Sequence, residues 1–321
     1  MSHIAYIVFT VFSQMAVGAL IAMVIADFLA KDKAALKFFE TGAWVSVPVA
    51  VIGLIAVLSH EARPIQAMMT MNSNLATSWL SRESLALTVF VVLAVIYTVL
   101  WLFEPEYGSL RRIPLIPKIA KPFIPLRKVV GVISAIVGVA FLSVTAKTYM
   151  MVGLPAMNQI TTPLFFLVTA LLVGVTAVAA VLSLKYMIKK ETVEPLARYL
   201  WATWGIALVL VIVLVFVLFA NISMLQIAET KAAGMAQLET LKNMLHGDYT
   251  TLFWARVVIG VVLTLVCLAV LILPLKKKDI SKASVLTCAV FVCALIGEIL
   301  GRIVFFGANV PLSEVMPYIL P

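Results

Sequence analysis

The sequence predicts an all-α integral membrane protein: a single polytopic membrane domain over residues 1–321, built as a bundle of about eight transmembrane helices with both termini non-cytoplasmic. Three observations carry that prediction. Of 321 residues, 63% are hydrophobic and 12% charged, with a mean hydropathy of +1.12, a balance that cannot describe a soluble globular surface. Apolar stretches able to cross about 30 Å of hydrocarbon, roughly 20 residues each at 1.5 Å per residue, recur along the chain. Lysine and arginine collect in alternate loops between them. The net charge of +9 would point to nucleic acid in a soluble chain, but here the basic residues sit in short loops where topology explains them.

The spans read in order as 4–30, 40–60, 82–103, 129–151, 163–187, 199–228, 252–275 and 283–306. The first residues, Met-Ser-His-Ile-Ala, lack a positive n-region and the first apolar run is too long for a cleavable signal peptide, so the first span is expected to stay. The second closes on His60, and the third opens on Arg82 and Glu83. The eighth holds Gly297 and Gly301, a small-xxx-small pair that lets a neighbouring helix approach closely.

Orientation follows from the loops. The first holds Lys31, Lys33 and Lys37; the third Arg111, Arg112, Lys118, Lys121, Arg127 and Lys128; the fifth Lys189, Lys190 and Arg198; the seventh Lys276, Lys277, Lys278 and Lys282. The even-numbered loops hold only Arg63, Lys231 and Lys242. By the positive-inside rule both termini lie outside the cytoplasm. The third loop carries Pro105, Pro114, Pro117, Pro122 and Pro125 and reads as an extended linker. In the sixth, Met235, Leu238, Leu241 and Leu245 recur at helical spacing and predict a short amphipathic helix. The second loop, 62–81, is polar and almost uncharged, suited to lying on the membrane or under a docked protein.

Ionisable residues intrude on the spans at one end: His60, Glu83, Lys147, Arg256, Glu298 and Arg302. Such groups are costly to hold in a bilayer and mark a functional-site hypothesis. Lys147 and Arg302 could reach the interface by snorkelling. Glu298 and Arg302 stand four apart on one helix face, where an internal ion pair would neutralise both. His60, the only histidine at membrane depth, has an ordinary pKa of about 6.5 suited to proton transfer, and Glu83 opens the next helix on the same side. One histidine does not provide a two-histidine haem site, so no intrinsic haem is expected. Cys267, Cys288 and Cys293 lie in apolar spans without Cys-x-x-Cys spacing, so neither an iron–sulfur cluster nor a metal is expected.

The ordered set Val8-Phe-Thr-Val-Phe-Ser-Gln14, His60-x-x-x-Pro64-x-x-Ala67 running to Asn72, Leu80-Ser-Arg-Glu83, Thr162-Pro163, Asp248-Tyr249 ahead of Arg256, and Gly297-Glu-Ile-Leu-Gly-Arg302 followed by Phe305-Phe306-Gly307 resembles the membrane anchor subunit of dimethyl sulfoxide reductase. The resemblance runs from the first helix to the last. It implies a multi-pass subunit of the bacterial inner membrane that oxidises menaquinol and carries no redox cofactor of its own. Its implied partners are an iron–sulfur electron-transfer subunit and a molybdopterin catalytic subunit on the non-cytoplasmic face. The family's quinol-site histidine and glutamate map onto His60 and Glu83. Arg82, Lys147, Arg256, Glu298 and Arg302 are the further candidates for quinol binding or pocket charge. The chain departs from the family pattern in placing Arg82 directly before the glutamate. Two other readings stand beside this one. A proton-coupled secondary transporter would place its charges near the midplane at broken helices, and a purely structural anchor would need no chemistry at His60 or Glu83.

Overall fold

A computed structural model of the chain describes residues 3–30, 32–60, 66, 74–113, 116–190, 194–227 and 230–318. The described residues form helices and no strand, and eight helical segments are long and apolar enough to cross a membrane. In order these are α1 (His3–Leu29); α2 (Lys33–Phe39), leading through a 3-10 turn (Glu40–Gly42) into α3 (Ala43–His60); α4 (Trp79–Leu102); α5 (Ile116–Ala120), followed by a 3-10 stretch (Lys121–Leu126); α6 (Arg127–Tyr149); α7 (Thr161–Lys189); α8 (Glu194–Met224); α9 (Lys231–Leu245); α10 (Thr250–Ala255), running through a π-helical stretch (Arg256–Leu263) into α11 (Thr264–Lys276); α12 (Ile280–Gly307); and α13 (Leu312–Val315). Each of the eight spans read from the sequence falls on one of these segments, with ends a few residues apart. Polar residues start several of them. Asp32, Ser78, Thr230 and Asp279 each accept a hydrogen bond from a backbone N–H in the first turn of the helix that follows, supplying one of the orphan donors that a helix N-terminus leaves unpaired.

Helix contacts divide the molecule into two four-helix bundles. The first joins α1 to α3, α3 to α4, α4 to α6 and α6 back to α1; the second joins α7 to α8, α8 to α11, α11 to α12 and α12 back to α7. α1 and α7 meet between the bundles and are the most enclosed, with 78% of their most apolar stretch buried, against 28% for α8. Small residues make that contact. A Cβ on Gly18 would overlap the Ala170 carbonyl oxygen, and one on Gly174 would overlap the backbone of Gly18 and Ala19. Without a hydrophobic drive between helices in lipid, this close backbone approach is what packing can use. On the far side α8 turns Val209, Ile212, Phe216 and Phe219 outward, a surface suited to hydrocarbon and not to water.

The end of the bundle opposite His60 departs from the sequence reading, which placed intruding charge at one end only. Asp27, late in α1, is buried and paired with buried Arg127 at the start of α6. Arg127 Nε donates to Asp27 Oδ2 at 2.9 Å and Nη2 to Asp27 Oδ1 at 2.8 Å, while Nη1 donates to the Tyr107 hydroxyl at 2.6 Å. The guanidinium also lies 4.2 Å over the Trp101 ring. The two-pronged pairing satisfies both groups at once, which is the condition for holding them there.

The third loop is also not an extended linker. It folds into α5 and the 3-10 stretch, and it is tied down where the Ser109 N–H donates to Glu40 Oε1 at 2.8 Å and Lys33 pairs with Glu106 at 2.7 Å. Proline, excluded from a helix interior, suits the first positions of a short helical turn because its φ is already set; Pro122 occupies such a position. The amphipathic helix read in the sixth loop is α9. Its buried face is Ala236, Gln237, Thr240, Leu241 and Met244, leaving Leu238 exposed.

Candidate functional site

Each bundle encloses a cavity at the same end, and four of the charged residues singled out in the sequence divide between them, Glu83 on one and Arg256, Glu298 and Arg302 on the other. The first cavity lies among α1, α3, α4 and α6 and contains about 1140 Å³ of empty space, part of it open to the surroundings. Its wall is mostly apolar, with Tyr6, Phe9, Leu54, Val57, Leu58, Leu80 and Leu87 joined by Glu83, Thr88, Thr148 and Tyr149. A concave apolar pocket with few polar groups is the usual form of a small-molecule site.

Local structure explains how Glu83 comes to face this space. Ser81, Glu83, Leu87, Phe90, Ala94 and Tyr97 form the buried face of α4, spaced as one side of a helix requires. Arg82, one residue earlier, turns the other way. Its Nε donates to the Leu75 carbonyl at 2.9 Å and its Nη2 to the Ala76 carbonyl at 2.7 Å, and its guanidinium lies 4.4 Å over the Trp79 ring. Glu83 is 4% exposed, and its Oε1 has no hydrogen-bond partner among the described residues. Thr145 and Thr148 of α6 face the carboxyl, and Thr145 Oγ1 is also without a partner among those residues. Glu83 thus brings a buried carboxyl oxygen to the cavity wall with capacity to bind something that enters it. His60 ends α3, the helix that supplies Leu54, Val57 and Leu58 to the wall. The His60 side chain lies outside the described residues, as does most of the second loop.

The second cavity, among α7, α8, α12 and the π-helical stretch and roofed by α9, contains about 570 Å³ and is lined by Arg256, Glu298 and Arg302. Arg302 Nε donates to Glu298 Oε1 at 2.6 Å, the i,i+4 ion pair read from the sequence. Arg302 Nη2 reaches across to Gln14 Oε1 of α1 at 2.9 Å, and its guanidinium stacks 3.7 Å over the Phe166 ring. Gly297 packs against Gly260 and Gly301 against Arg256, so both members of the small-xxx-small pair face the seventh membrane segment. Between the two cavities stands a cluster of rings: Tyr149 contacts Phe166, Phe305 and Phe306, with centroids 5.2 to 6.2 Å apart. Lys147 belongs to neither cavity and is exposed.

Sequence reasoning missed Thr145, Thr148 and Tyr149 because they are neutral and a search for intruding charge passes over them. The only local signal was their spacing near the end of one helix, three apart for the threonines. It also missed Gln14 as the partner of Arg302. Among the described residues no three His, Cys, Asp or Glu side chains are grouped so as to hold a metal ion, and the three cysteines are free thiols.

Comparison with known proteins places this architecture. The family model for the DMSO reductase anchor subunit (DmsC) matches residues 1–308. The C subunit of the anaerobic dimethyl sulfoxide reductase of Haemophilus influenzae is 24% identical over 301 residues, covering 94% of this protein and 92% of that one. With eight helices among the described residues long and apolar enough to cross a membrane and a match over nearly its full length, the chain belongs to the DMSO reductase anchor subunit family, multi-pass inner-membrane proteins that anchor a DMSO reductase complex with its catalytic and electron-transfer partners.

Proposed function

We propose that this subunit oxidises menaquinol in the Glu83 cavity and passes the electrons to an iron–sulfur subunit, which relays them to a molybdopterin catalytic subunit on the non-cytoplasmic face. The observation that carries the reading is the buried Glu83 carboxyl, its Oε1 unpartnered among the described residues, on a largely apolar cavity whose α3 wall ends at His60. A quinol gives up two protons and two electrons on oxidation. In this reading His60 accepts one proton and Glu83 either tunes His60 or accepts the other, while the electrons leave to the partner's cluster. A carboxylate and an imidazole on neighbouring helices are suited to that proton traffic near neutral pH. Thr145 and Thr148 would hold a ring oxygen near Glu83, and the apolar wall would take the head group and the start of the tail. Both termini would lie on the side where the protons are released.

The test uses the assembled complex. His60→Ala should abolish quinol-dependent S-oxide reduction while an artificial electron donor still drives the catalytic subunit, and normal quinol turnover in that variant would remove His60 from the mechanism. Glu83→Gln should weaken binding of quinol or of a quinol-site inhibitor. If both variants turned over quinol normally, the chain would be a structural anchor only.

A further inference from the structure

We propose that the cavity of the second bundle is an anion site, in which Arg256 holds a compact inorganic anion, a halide or a small oxyanion. The site stands independently of what the Glu83 cavity binds. Its first support is a charge count. Arg256, Glu298 and Arg302 line the space, two cations against one carboxylate, leaving one positive charge over. The carboxylate is already engaged, since Arg302 Nε donates to Glu298 Oε1 at 2.6 Å. Arg302 is further engaged by Gln14 at 2.9 Å and by Thr169 at 3.5 Å.

Arg256 is different. Its guanidinium lies 4.9 Å over the Phe165 ring and against Gly301, where a Cβ would meet Nε and Cζ. Glu298 and Arg302 act on it through space, but the partly buried guanidinium forms no hydrogen bond or ion pair with the described residues. A guanidinium does not deprotonate in a protein, so its five N–H donors must be met by something other than loss of the charge. Holding it unpaired in a partly enclosed space is costly. Its planar fork matches an oxyanion with two parallel hydrogen bonds.

One local feature marks the same spot. The π-helical stretch begins at Arg256, and such widened turns recur at functional sites. The occupant must be compact because the cavity proper is about 50 Å³, against about 360 Å³ for the Glu83 cavity, and Thr240 and Met244 of α9 lie on its wall.

The experiment uses the full chain in mild detergent, exchanged into gluconate at constant ionic strength and titrated separately with bromide and with phosphate while thermal unfolding is followed by tryptophan fluorescence. The wild type should show a midpoint that rises and saturates with at least one of the two anions, and Arg256→Gln should lose the saturable part. A response to bromide alone assigns a halide, and one to phosphate alone an oxyanion. Should Arg256→Gln fail to fold, Arg256→Lys keeps the charge without the fork and should retain saturation at a roughly tenfold higher phosphate concentration, and bromide-soaked crystals of the wild type should show anomalous density within hydrogen-bond reach of Arg256. Neither anion giving a saturable rise in the wild type, or the same rise in Arg256→Gln, overturns the proposal and leaves water as the solvent of Arg256.

Discussion

Asp27 and Arg127 allow a quantitative test of what holds the lysine-rich end together. Their side chains are 1% and 7% exposed, and they are joined at 2.8 and 2.9 Å. Asp27→Asn removes the charge and leaves the guanidinium facing a neutral amide. Two charge-assisted hydrogen bonds at about 1.5–3 kcal/mol each give a loss of about 3–6 kcal/mol, in line with the ~3–5 kcal/mol expected when one partner of a buried pair is removed. Arg127→Met should cost at least as much, because it also frees the Tyr107 hydroxyl and the Trp101 ring face. The double variant Asp27→Asn with Arg127→Met should be far less damaged than the sum, since no uncompensated charge remains. Unfolding of the four proteins in mild detergent, read as a double-mutant cycle, gives the coupling directly. Quinol turnover per folded molecule should be unchanged, because the pair lies at the opposite end from the Glu83 cavity. Single variants that each lose under about 1 kcal/mol, or losses that simply add, would refute the reasoning.

Lys147→Ala should leave quinol turnover and inhibitor binding unchanged, because the side chain is exposed and lines neither cavity; a loss of turnover would bring it into the mechanism. Gly18→Ala should reduce the yield of folded protein sharply, because the added Cβ overlaps the Ala170 carbonyl in the contact between the bundles, and retention of wild-type thermal stability would mean that α1 and α7 can separate freely. A reporter fused after Pro321 should read as non-cytoplasmic, and a cytoplasmic signal would invert the proposed topology.

Much of the fold was legible because a run of about 20 apolar residues is a local signal, independent of what the helix later touches. The Glu298–Arg302 pair was legible for the same reason, since four residues on one helix is a short-range relation. Asp27 with Arg127 was not, because the partners stand one hundred residues apart and nothing near either announces the other. Gln14 with Arg302, 288 apart, is the same case. Division of the charged belt into two cavities also depends on which helices are neighbours. His60 and Glu83 were read as a pair from helix ends and from a family resemblance, and the fold puts their helices on one cavity. Arg256, Glu298 and Arg302 were read as part of that belt, yet they line the cavity of the other bundle. The four-plus-four arrangement was invisible because it repeats in helix contacts, while no internal repeat stands out in the residues.

The two cavities differ in their walls. The Glu83 cavity opens at the end of the first bundle, where wall residues Leu80 and Met151 are each 50% exposed. A lipid-soluble quinol could pass that edge without desolvating a polar group, and would meet the Glu83 carboxyl only once inside. The Arg256 cavity has a different roof: α9 and the segment around Ala156 and Met157 cover its outer end, and Gly260 pressed on Gly297 closes the seam between its helices. Their separation has an electrostatic consequence as well. The extra positive charge at Arg256 is partly offset by the Glu298 carboxylate beside it. A compact anion on Arg256 would complete that neutralisation, leaving the acid–base behaviour of the first cavity to the residues that line it.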